Sequence, residues 1–295
     1  MKIMLSITEL SNPKTVDIDI KNGLEIAKLI NDEDKKLADA IAMVLPQIGE
    51  AIDKIADSLQ KGGRMAYFGS GTSGRLGILD ASEMQPTYGI SPEMIQAYIS
   101  GGEKAIRHAV ENAEDNAELA VADMQKFNPQ KGDVVVAVSA SGNPQYGLKA
   151  LELARQKGCL TIAISSNPNA KFKEFADIFI NPILGAEAVT GSSRMKSGTA
   201  QKMILNMLST GAMIKLGKTY HNYMIDLEVT NIKLQQRAVR FVHEICDVDE
   251  KTATEVLTEA KNVKTACVMI KKNCNKEQAQ KLLAENGGIL RKVIG

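Results

Sequence analysis

Two short loops in the sequence combine glycine with hydroxyl side chains in a pattern that suits a phosphate group. The first is residues 69–74, Gly-Ser-Gly-Thr-Ser-Gly, and the second is residues 139–144, Ser-Ala-Ser-Gly-Asn-Pro. Each follows a short apolar run and precedes a helical pattern, so its backbone N–H groups open a helix, where unpaired donors and partial positive charge bind anions. The residues expected to contact the ligand are Ser70, Thr72, Ser73, Ser139, Ser141 and Gly142.

Neither loop matches a standard nucleotide-binding motif. Neither is followed by the Lys-Ser/Thr pair of a Walker A loop, and neither is a GxGxxG with an acidic residue about 20 positions further on. One such loop alone fits an ordinary turn between a strand and a helix, because serine and glycine are common there. Two such loops in one predicted sheet favour a small phosphorylated ligand.

Glu83 is the first candidate for acid–base chemistry, and it closes the stretch Leu-Asp-Ala-Ser-Glu at residues 79–83. An ordinary surface position near a helix end explains it equally well. If residues 73–83 form one straight helix, Glu83 lies about 15 Å from the phosphate site, at 1.5 Å per residue. An extended substrate, a bend near Gly77 or a second subunit would bring it to the site, and the second subunit implies a dimer.

Glu114 is the second candidate, and we expect it on a helix that follows the second predicted strand. Val110, Ala117 and Val121 would share its face, and a carboxylate among apolar residues is costly unless it is paired or used. The alternative is that Glu114 belongs to a solvated flank of the helix with the neighbouring glutamates. Helical spacing alone does not separate the two interpretations.

The elements that must position these residues alternate between apolar runs and helical stretches. The predicted strands are residues 65–68, 95–99, 134–138, 160–164 and 178–180. The third strand, Val-Val-Val-Ala-Val, is continuous and β-branched, as in a parallel strand covered on both faces. The alternation predicts a three-layer α/β/α sandwich with a mainly parallel five-stranded sheet, in which ligands bind at the carboxyl ends of the strands.

The regions on either side of the predicted sheet are mostly helical. Residues 1–20 look extended and irregular, and a helical pattern begins near Asn31, where Asn31 or Asp32 can provide the cap. A polar break at 247–250 precedes short helices with Lys/Glu faces. We therefore expect a catalytic domain with an N-terminal helical arm over 1–246 and a small helical domain over 247–295.

Composition excludes several classes of protein. With 36 basic and 35 acidic residues the formal net charge is +1, and 4% aromatic residues without tryptophan provide few stacking surfaces, so we expect no nucleic-acid partner. No run of 18 apolar residues is present, so we expect no membrane partner. The N-terminal residues show no signal peptide, which favours a cytoplasmic location.

The metal-binding residue types are scattered. Cys159, Cys246, Cys267 and Cys274 form no CxxC pair, which is typical of reduced thiols in a cytoplasmic protein. None of the three histidines lies at metal-ligand spacing from a suitable partner. We expect no metal and no cofactor.

Several stretches together carry a resemblance to a known family. They are Thr8-Glu9 to Asn12-Pro13, residues 30–34, 69–83, 86–89, 113–115, 139–144 and 185–199. Over essentially its whole length, the chain resembles the N-acetylmuramic acid 6-phosphate etherases, within the sugar isomerase (SIS) domain superfamily. Ala186, where proline is common, and Gln85 are small departures that leave both candidate carboxylates in place.

The resemblance implies a lyase that cleaves the D-lactyl ether of N-acetylmuramic acid 6-phosphate by elimination and hydration. It implies a homodimer without a metal, in which Glu83 is the proton donor and Glu114 the second catalytic glutamate. Glu187, Arg194 and Lys196 belong to the expected substrate-binding residues. Arg194 and Lys196 bind the phosphate or the lactyl carboxylate, or they form salt bridges at the dimer interface, and the sequence weighs these evenly.

Two other functions fit the same scaffold. A sugar-phosphate isomerase would also use a carboxylate at C2, but it needs no proton donor for a leaving group at C3. A regulatory protein that only senses a phosphosugar is the other alternative, and such proteins typically carry two SIS domains. This chain has room for one SIS domain and a helical appendage, and it keeps both glutamates.

Overall fold

The structure is a computed structural model that describes residues 7–227, 229 and 231–295. The chain divides into two compact units. The first comprises the described residues up to Ser82 together with Glu93–Ser209, and the second comprises Glu83–Pro92 and Thr210–Gly295. Each unit has its own arrangement of elements.

A five-stranded parallel sheet forms the centre of the first unit. Its strands are β1 Met65–Gly69, β2 Ile95–Ile99, β3 Val134–Val138, β4 Leu160–Ile164 and β5 Ile178–Ile180, in the order β2-β1-β3-β4-β5. These strands confirm the predicted fold class. Because the chain passes from β2 across β1 to β3, the switch point of the topology lies between β1 and β3, where ligands bind in such sheets.

Helices cover both faces of this sheet. Those in or beginning in the first unit are α1 Gly23–Asp34, α2 Leu37–Ala42, α3 Leu45–Gln60, α4 Gly71–Ser82, α6 Gly102–Arg107, α7 Ala117–Phe127, α8 Gln145–Gln156 and α9 Lys196–Lys215. Phe68 and Val135 pack against α7 and α8 on one face. Tyr67, the neighbour of Phe68 on β1, faces α4 on the other side, since strand side chains alternate.

Asp80 links α4 to both β1 and α9. The buried carboxylate of Asp80 accepts hydrogen bonds from Tyr67 Oη at 2.8 Å, Asn206 Nδ2 at 2.7 Å and Ser209 Oγ at 3.1 Å. Burial raises the pKa of Asp80, although these hydrogen bonds oppose the shift. The network fixes the helix that begins at the first hydroxyl-rich loop.

The N-terminal arm differs from its prediction. Residues 7–20 contain two short 3-10 turns, Ile7–Glu9 and Ile18–Ile20, and α1 begins at Gly23 rather than near Asn31. Asn22 is the cap, because its side chain accepts from the backbone of Glu25 while the Glu25 carboxylate accepts from the backbone of Asn22. The predicted cap at Asn31 or Asp32 is wrong, since this earlier capping box starts the helix.

The second unit is helical and encloses its own apolar core. It contains α5 Met84–Tyr88, a two-stranded ribbon of β6 Thr219–Tyr220 and β7 Tyr223–Met224, and the helices α10 Ile232–Cys246, α11 Glu250–Ala260, α12 Val263–Lys272, α13 Lys276–Glu285 and α14 Leu290–Ile294. Four of these helices, α10 to α13, begin at an Asn or Asp whose side chain accepts a backbone N–H.

The helical core takes in residues on the N-terminal side of the predicted boundary at 246/247. Phe241 and Val242 of α10 are buried in one cluster with Leu257 and Val268, because the apolar face of α10 packs on the helices that follow it. Residues 210–246 therefore belong with the C-terminal helices. None of the helices in the described part of the chain has the length and apolar character that a membrane span requires.

Candidate active site

A cavity of about 300 Å³ opens at the switch point of the sheet. The first and second hydroxyl-rich loops meet there because β1 pairs with β3, with Gly69 opposite Val138. The lining residues, all in the first unit, are Thr8, Glu9, Ser70, Gly71, Thr72, Ser73, Glu114, Ser139, Ala140, Ser141, Pro144, Gly191 and Ser193. The structure thus brings five of the predicted hydroxyls together with one of the two predicted carboxylates.

The first loop ends as the N-terminus of α4. Ser70 Oγ accepts a hydrogen bond from Ser100 Oγ at 2.8 Å, and Ser73 Oγ donates to the buried Gln201 Oε1 at 2.9 Å. The partial positive charge of this helix start lies at the cavity, since Gly71, Thr72 and Ser73 line it. No basic side chain is needed there for a phosphate group to bind.

Glycine at position 74 lets the first loop turn tightly from β1 into α4. A Cβ atom at Gly74 would lie 2.5 Å from Ile99 Cγ1 and 2.6 Å from the Gly69 carbonyl oxygen. Any larger residue would push α4 away from the ends of β1 and β2. The glycine therefore brings the helix N-terminus to the sheet edge.

The second loop is shaped by its own hydroxyls. Ser139 Oγ accepts from the backbone N–H of Gly142 at 3.0 Å and lies 3.4 Å from Ser141 Oγ. Gly142 has φ +66°, and a Cβ atom there would meet Ala170 Cβ at 2.3 Å. Gly142 does not line the cavity, although it was expected to contact the ligand. It lets the loop turn against Ala170, and Ser139 and Ser141 line the cavity.

Glu114 does line the cavity, but it is not on a helix. It lies in a turn between α6, which ends at Arg107, and α7, which begins at Ala117 after the cap Asn116. The predicted helical face is wrong because Asn116 starts a new helix. The backbone carbonyl of Glu114 accepts from the N–H of Tyr146 at 3.0 Å, which ties this turn to the start of α8.

The surroundings of the Glu114 carboxyl disfavour its charged form. Glu114 as a whole residue is exposed, yet partial removal of its carboxyl from water, and secondly the charge of Asp115, raise its pKa above the ordinary value. A raised pKa suits a group that exchanges a proton near neutral pH.

Glu83 lies in the second unit, exposed, at the residue that precedes α5. Helix α4 runs without interruption through Gly77 and ends at Ser82. Glu83 is the single residue between α4 and α5, and its backbone angles are φ −85° and ψ −8°.

The described residues that line the cavity do not include Glu187, Arg194 or Lys196. The buried Glu187 carboxylate accepts from the backbone N–H groups of Lys196 and Ser197, both at 2.9 Å, and so caps the start of α9. Lys196 Nζ pairs with Glu33 Oε2 at 2.6 Å, fully buried. Their observed contacts are thus structural, and Arg194 is exposed.

Sequence reasoning missed the contribution of the N-terminal segment. Thr8 and Glu9 line the cavity, held there because Thr15 Oγ1 donates to the Ala188 carbonyl at 2.7 Å and Asn12 Nδ2 to the Ala186 carbonyl at 3.3 Å. These residues lie in the stretches that carry the family resemblance, but no spacing rule connects positions so distant in the sequence. Only the fold shows that they meet the two loops.

Comparison with known proteins identifies the family. An N-acetylmuramic acid 6-phosphate etherase of Photorhabdus laumondii is 50% identical over 297 residues, which cover 100% of this chain and 99% of that protein. One of Escherichia coli is 49% identical over 296 residues, with the same coverage. This chain belongs to the N-acetylmuramic acid 6-phosphate etherase family.

Domain and fold comparisons agree with the etherase family. Residues 47–155 match the glucokinase regulatory protein N-terminal SIS domain, 104–211 the SIS domain, and 221–261 the C-terminal lid domain of glucokinase regulatory protein. A phosphoheptose isomerase of Francisella tularensis has the same fold, with TM-score 0.51 and 17% identity over 65% of this chain and 98% of that one. The cavity lies within the part that matches SIS domains, except for Thr8 and Glu9 of the N-terminal segment.

Proposed function

We propose that this chain is an N-acetylmuramic acid 6-phosphate etherase, which converts its substrate to N-acetylglucosamine 6-phosphate and D-lactate. The observation that carries the proposal is the cavity in which Glu114 meets the two hydroxyl-rich loops. It is supported by the identity of about half of all residues with etherases over the full length of the chain. A role in reusing cell-wall muropeptides or in amino-sugar catabolism follows from that substrate.

The phosphate group binds at the two loops. Their hydroxyls and the N-terminus of α4 provide donors for the phosphate oxygens. Among the described residues that line the cavity none is basic, so the helix dipole and hydroxyls neutralise the ligand. The serines proposed for this role are Ser70, Ser73, Ser139 and Ser141, together with Thr72.

The reaction begins with an open-chain sugar, because the C2 proton is acidic only when C1 is an aldehyde. Glu83 is the proposed acid that protonates the ether oxygen at C3, so that D-lactate leaves. Glu114 then remains to take the C2 proton. Water adds to the resulting C2=C3 double bond, and the hydrated product closes to N-acetylglucosamine 6-phosphate.

We propose that the protein is a homodimer and that it is located in the cytoplasm. Phosphorylated sugars are charged and do not cross a bilayer unaided, which places their enzymes on the side where the phosphate is added. No nucleic acid, membrane, metal or cofactor takes part in the proposed reaction.

The first experiment incubates the purified protein with N-acetylmuramic acid 6-phosphate in D₂O. Release of D-lactate together with deuterium at C2 of the sugar product would establish elimination followed by hydration. Isomerised phosphosugar without lactate would support an isomerase, and binding without turnover would support a regulatory protein. Neither binding nor turnover would contradict the interpretation of both loops.

The variants Glu83→Gln and Glu114→Gln test the two proton-transfer roles. Each should lower kcat by roughly 10²–10⁴-fold, the usual contribution of one general acid or base. Glu118→Gln is a matched control, since Glu118 is exposed in the first turn of α7 and does not line the cavity. Its kcat should stay at the wild-type value, and a wild-type kcat for Glu114→Gln would remove that residue from the mechanism.

A further inference from the structure

The carboxylate of Glu9 is a second acidic group within the cavity that holds Glu114. Glu9 ends the 3-10 turn Ile7–Glu9, and it lines the cavity with both loops. Within the described part of the chain its side chain makes no hydrogen bond or ion pair, so its oxygens are available to a ligand. Its charge repels a phosphate group, which leaves the sugar ring as the part of the substrate that it can contact.

The position of Glu9 is built by the fold. The segment after it is fastened to residues 186–188 by the hydrogen bonds of Asn12 and Thr15. The same loop continues to Gly191, where a Cβ atom would lie 3.2 Å from Glu9 Oε2. Glycine at 191, with φ +76°, leaves that space to the carboxylate.

The proposed etherase reaction needs more proton transfers than two glutamates supply at once. Elimination uses one group at C2 and one at the ether oxygen on C3. Before elimination the pyranose must open, which requires removal of the O1 proton and protonation of O5. We propose that Glu9 is the acid–base residue for ring opening, an inference that rests on the proposed function.

The step balances without a further reactant. The Glu9 carboxylate takes the proton of the O1 hydroxyl, the C1=O bond forms as the C1–O5 bond breaks, and O5 takes a proton from water. The carboxyl of Glu9 then gives its proton to the hydroxide that is left, which regenerates water and the Glu9 carboxylate, so no net proton is consumed. The same group, in the reverse direction, closes the ring of the product.

Ring opening can be measured separately from ether cleavage, because the α and β anomers of N-acetylglucosamine 6-phosphate interconvert only through the open chain. Magnetisation-transfer NMR on this sugar, with and without the protein, gives the anomer exchange rate. The wild type should accelerate the exchange, and Glu9→Gln should lose that acceleration by about 10²-fold or more. Glu114→Gln should keep it while losing deuterium exchange at C2.

Glu118→Gln is the matched control, since Glu118 is exposed in the first turn of α7 and lies outside the cavity. It removes the same charge and should leave anomer exchange and lactate release at wild-type values. Thermal melting of each variant shows that it is folded. Formate should restore part of the exchange in Glu9→Ala, as a small carboxylate can occupy the vacated space.

If Glu9→Gln accelerates anomer exchange as much as the wild type does, the proposal is overturned. It is also overturned if the wild-type protein does not accelerate anomer exchange. A rise in KM with kcat and anomer exchange unchanged would make Glu9 a binding residue only, which also overturns it. A wild-type protein that accelerates anomer exchange but releases no lactate would contradict the etherase reaction and leave the role of Glu9 in ring opening standing.

Discussion

The raised pKa of Glu114 has a consequence for the pH dependence of catalysis. In the proposed mechanism Glu114 takes a proton from carbon and must be ionised to do so, so the rate should fall as pH drops through its pKa. Partial burial, and secondly the charge of Asp115, raise that pKa. The acidic limb of the kcat/KM profile should therefore lie at higher pH than an unperturbed glutamate would give.

Asp115→Asn removes the second of these causes. The pKa of Glu114 should fall toward its ordinary value, and the acidic limb of the kcat/KM profile should move to lower pH, while burial keeps part of the shift. Glu118→Gln, with the same charge change, should leave the limb in place. An acidic limb that stays fixed in Asp115→Asn would assign the titration to another group.

At the scale of elements, the start of α9 depends on a buried ion pair. Burial by itself would raise the pKa of Glu33, but hydrogen bonds from Lys196 and Lys36 outweigh it and lower this pKa to about 2. Because the folded pKa lies below the unfolded value of about 4.3, the stabilisation is present above that value and is lost as pH falls toward about 2.

Lys196→Met should leave a buried carboxylate without its main partner and lower the free energy of unfolding by about 3–5 kcal/mol, measured by urea denaturation. The double variant Glu33→Leu/Lys196→Met should recover much of the loss, because an apolar pair avoids the desolvation cost. The KM should stay near the wild-type value. A large rise in KM in a stable Lys196→Met protein would instead return Lys196 to the substrate site.

At the scale of the whole molecule, the proposed homodimer needs an apolar surface. Val16, Ile20 and Leu24 are 67%, 75% and 66% exposed, all within nine residues of the N-terminal arm. Large apolar side chains clustered on a surface are typical of an interface between subunits. We infer that this part of the arm lies in the dimer contact.

Ile20→Asp should place a charge in that contact and shift the protein from a dimer to the 31.9 kDa monomer, as measured by light scattering after size exclusion. Ile232→Asp is the matched control, since Ile232 is 79% exposed in the second unit. It should remain dimeric. A wild-type monomer would contradict the dimer, and a dimeric Ile20→Asp protein would move the interface away from the arm.

The sequence alone was sufficient for the sheet and for both hydroxyl-rich loops. Residues 95–99, 134–138, 160–164 and 178–180 are strands as predicted, because short, mainly apolar runs that alternate with helical stretches are typical of the strands of a covered parallel sheet. Helix starts were harder, since a local capping pair such as Asn22 and Glu25 outweighs apolar spacing.

Tertiary structure decided which polar residues line the cavity. The family resemblance implies Glu187 and Lys196 as substrate-binding residues, with an ion pair as the alternative for Lys196. In the structure Glu187 caps α9 and Lys196 is buried against Glu33, because a buried charge must be paired. Glu9 lies in a stretch that carries the resemblance, but no spacing rule places it at the cavity: the segment after it is held by hydrogen bonds to residues more than 170 positions away. Local patterns determine elements and loops, whereas the neighbours of a charged side chain depend on the packing of distant segments.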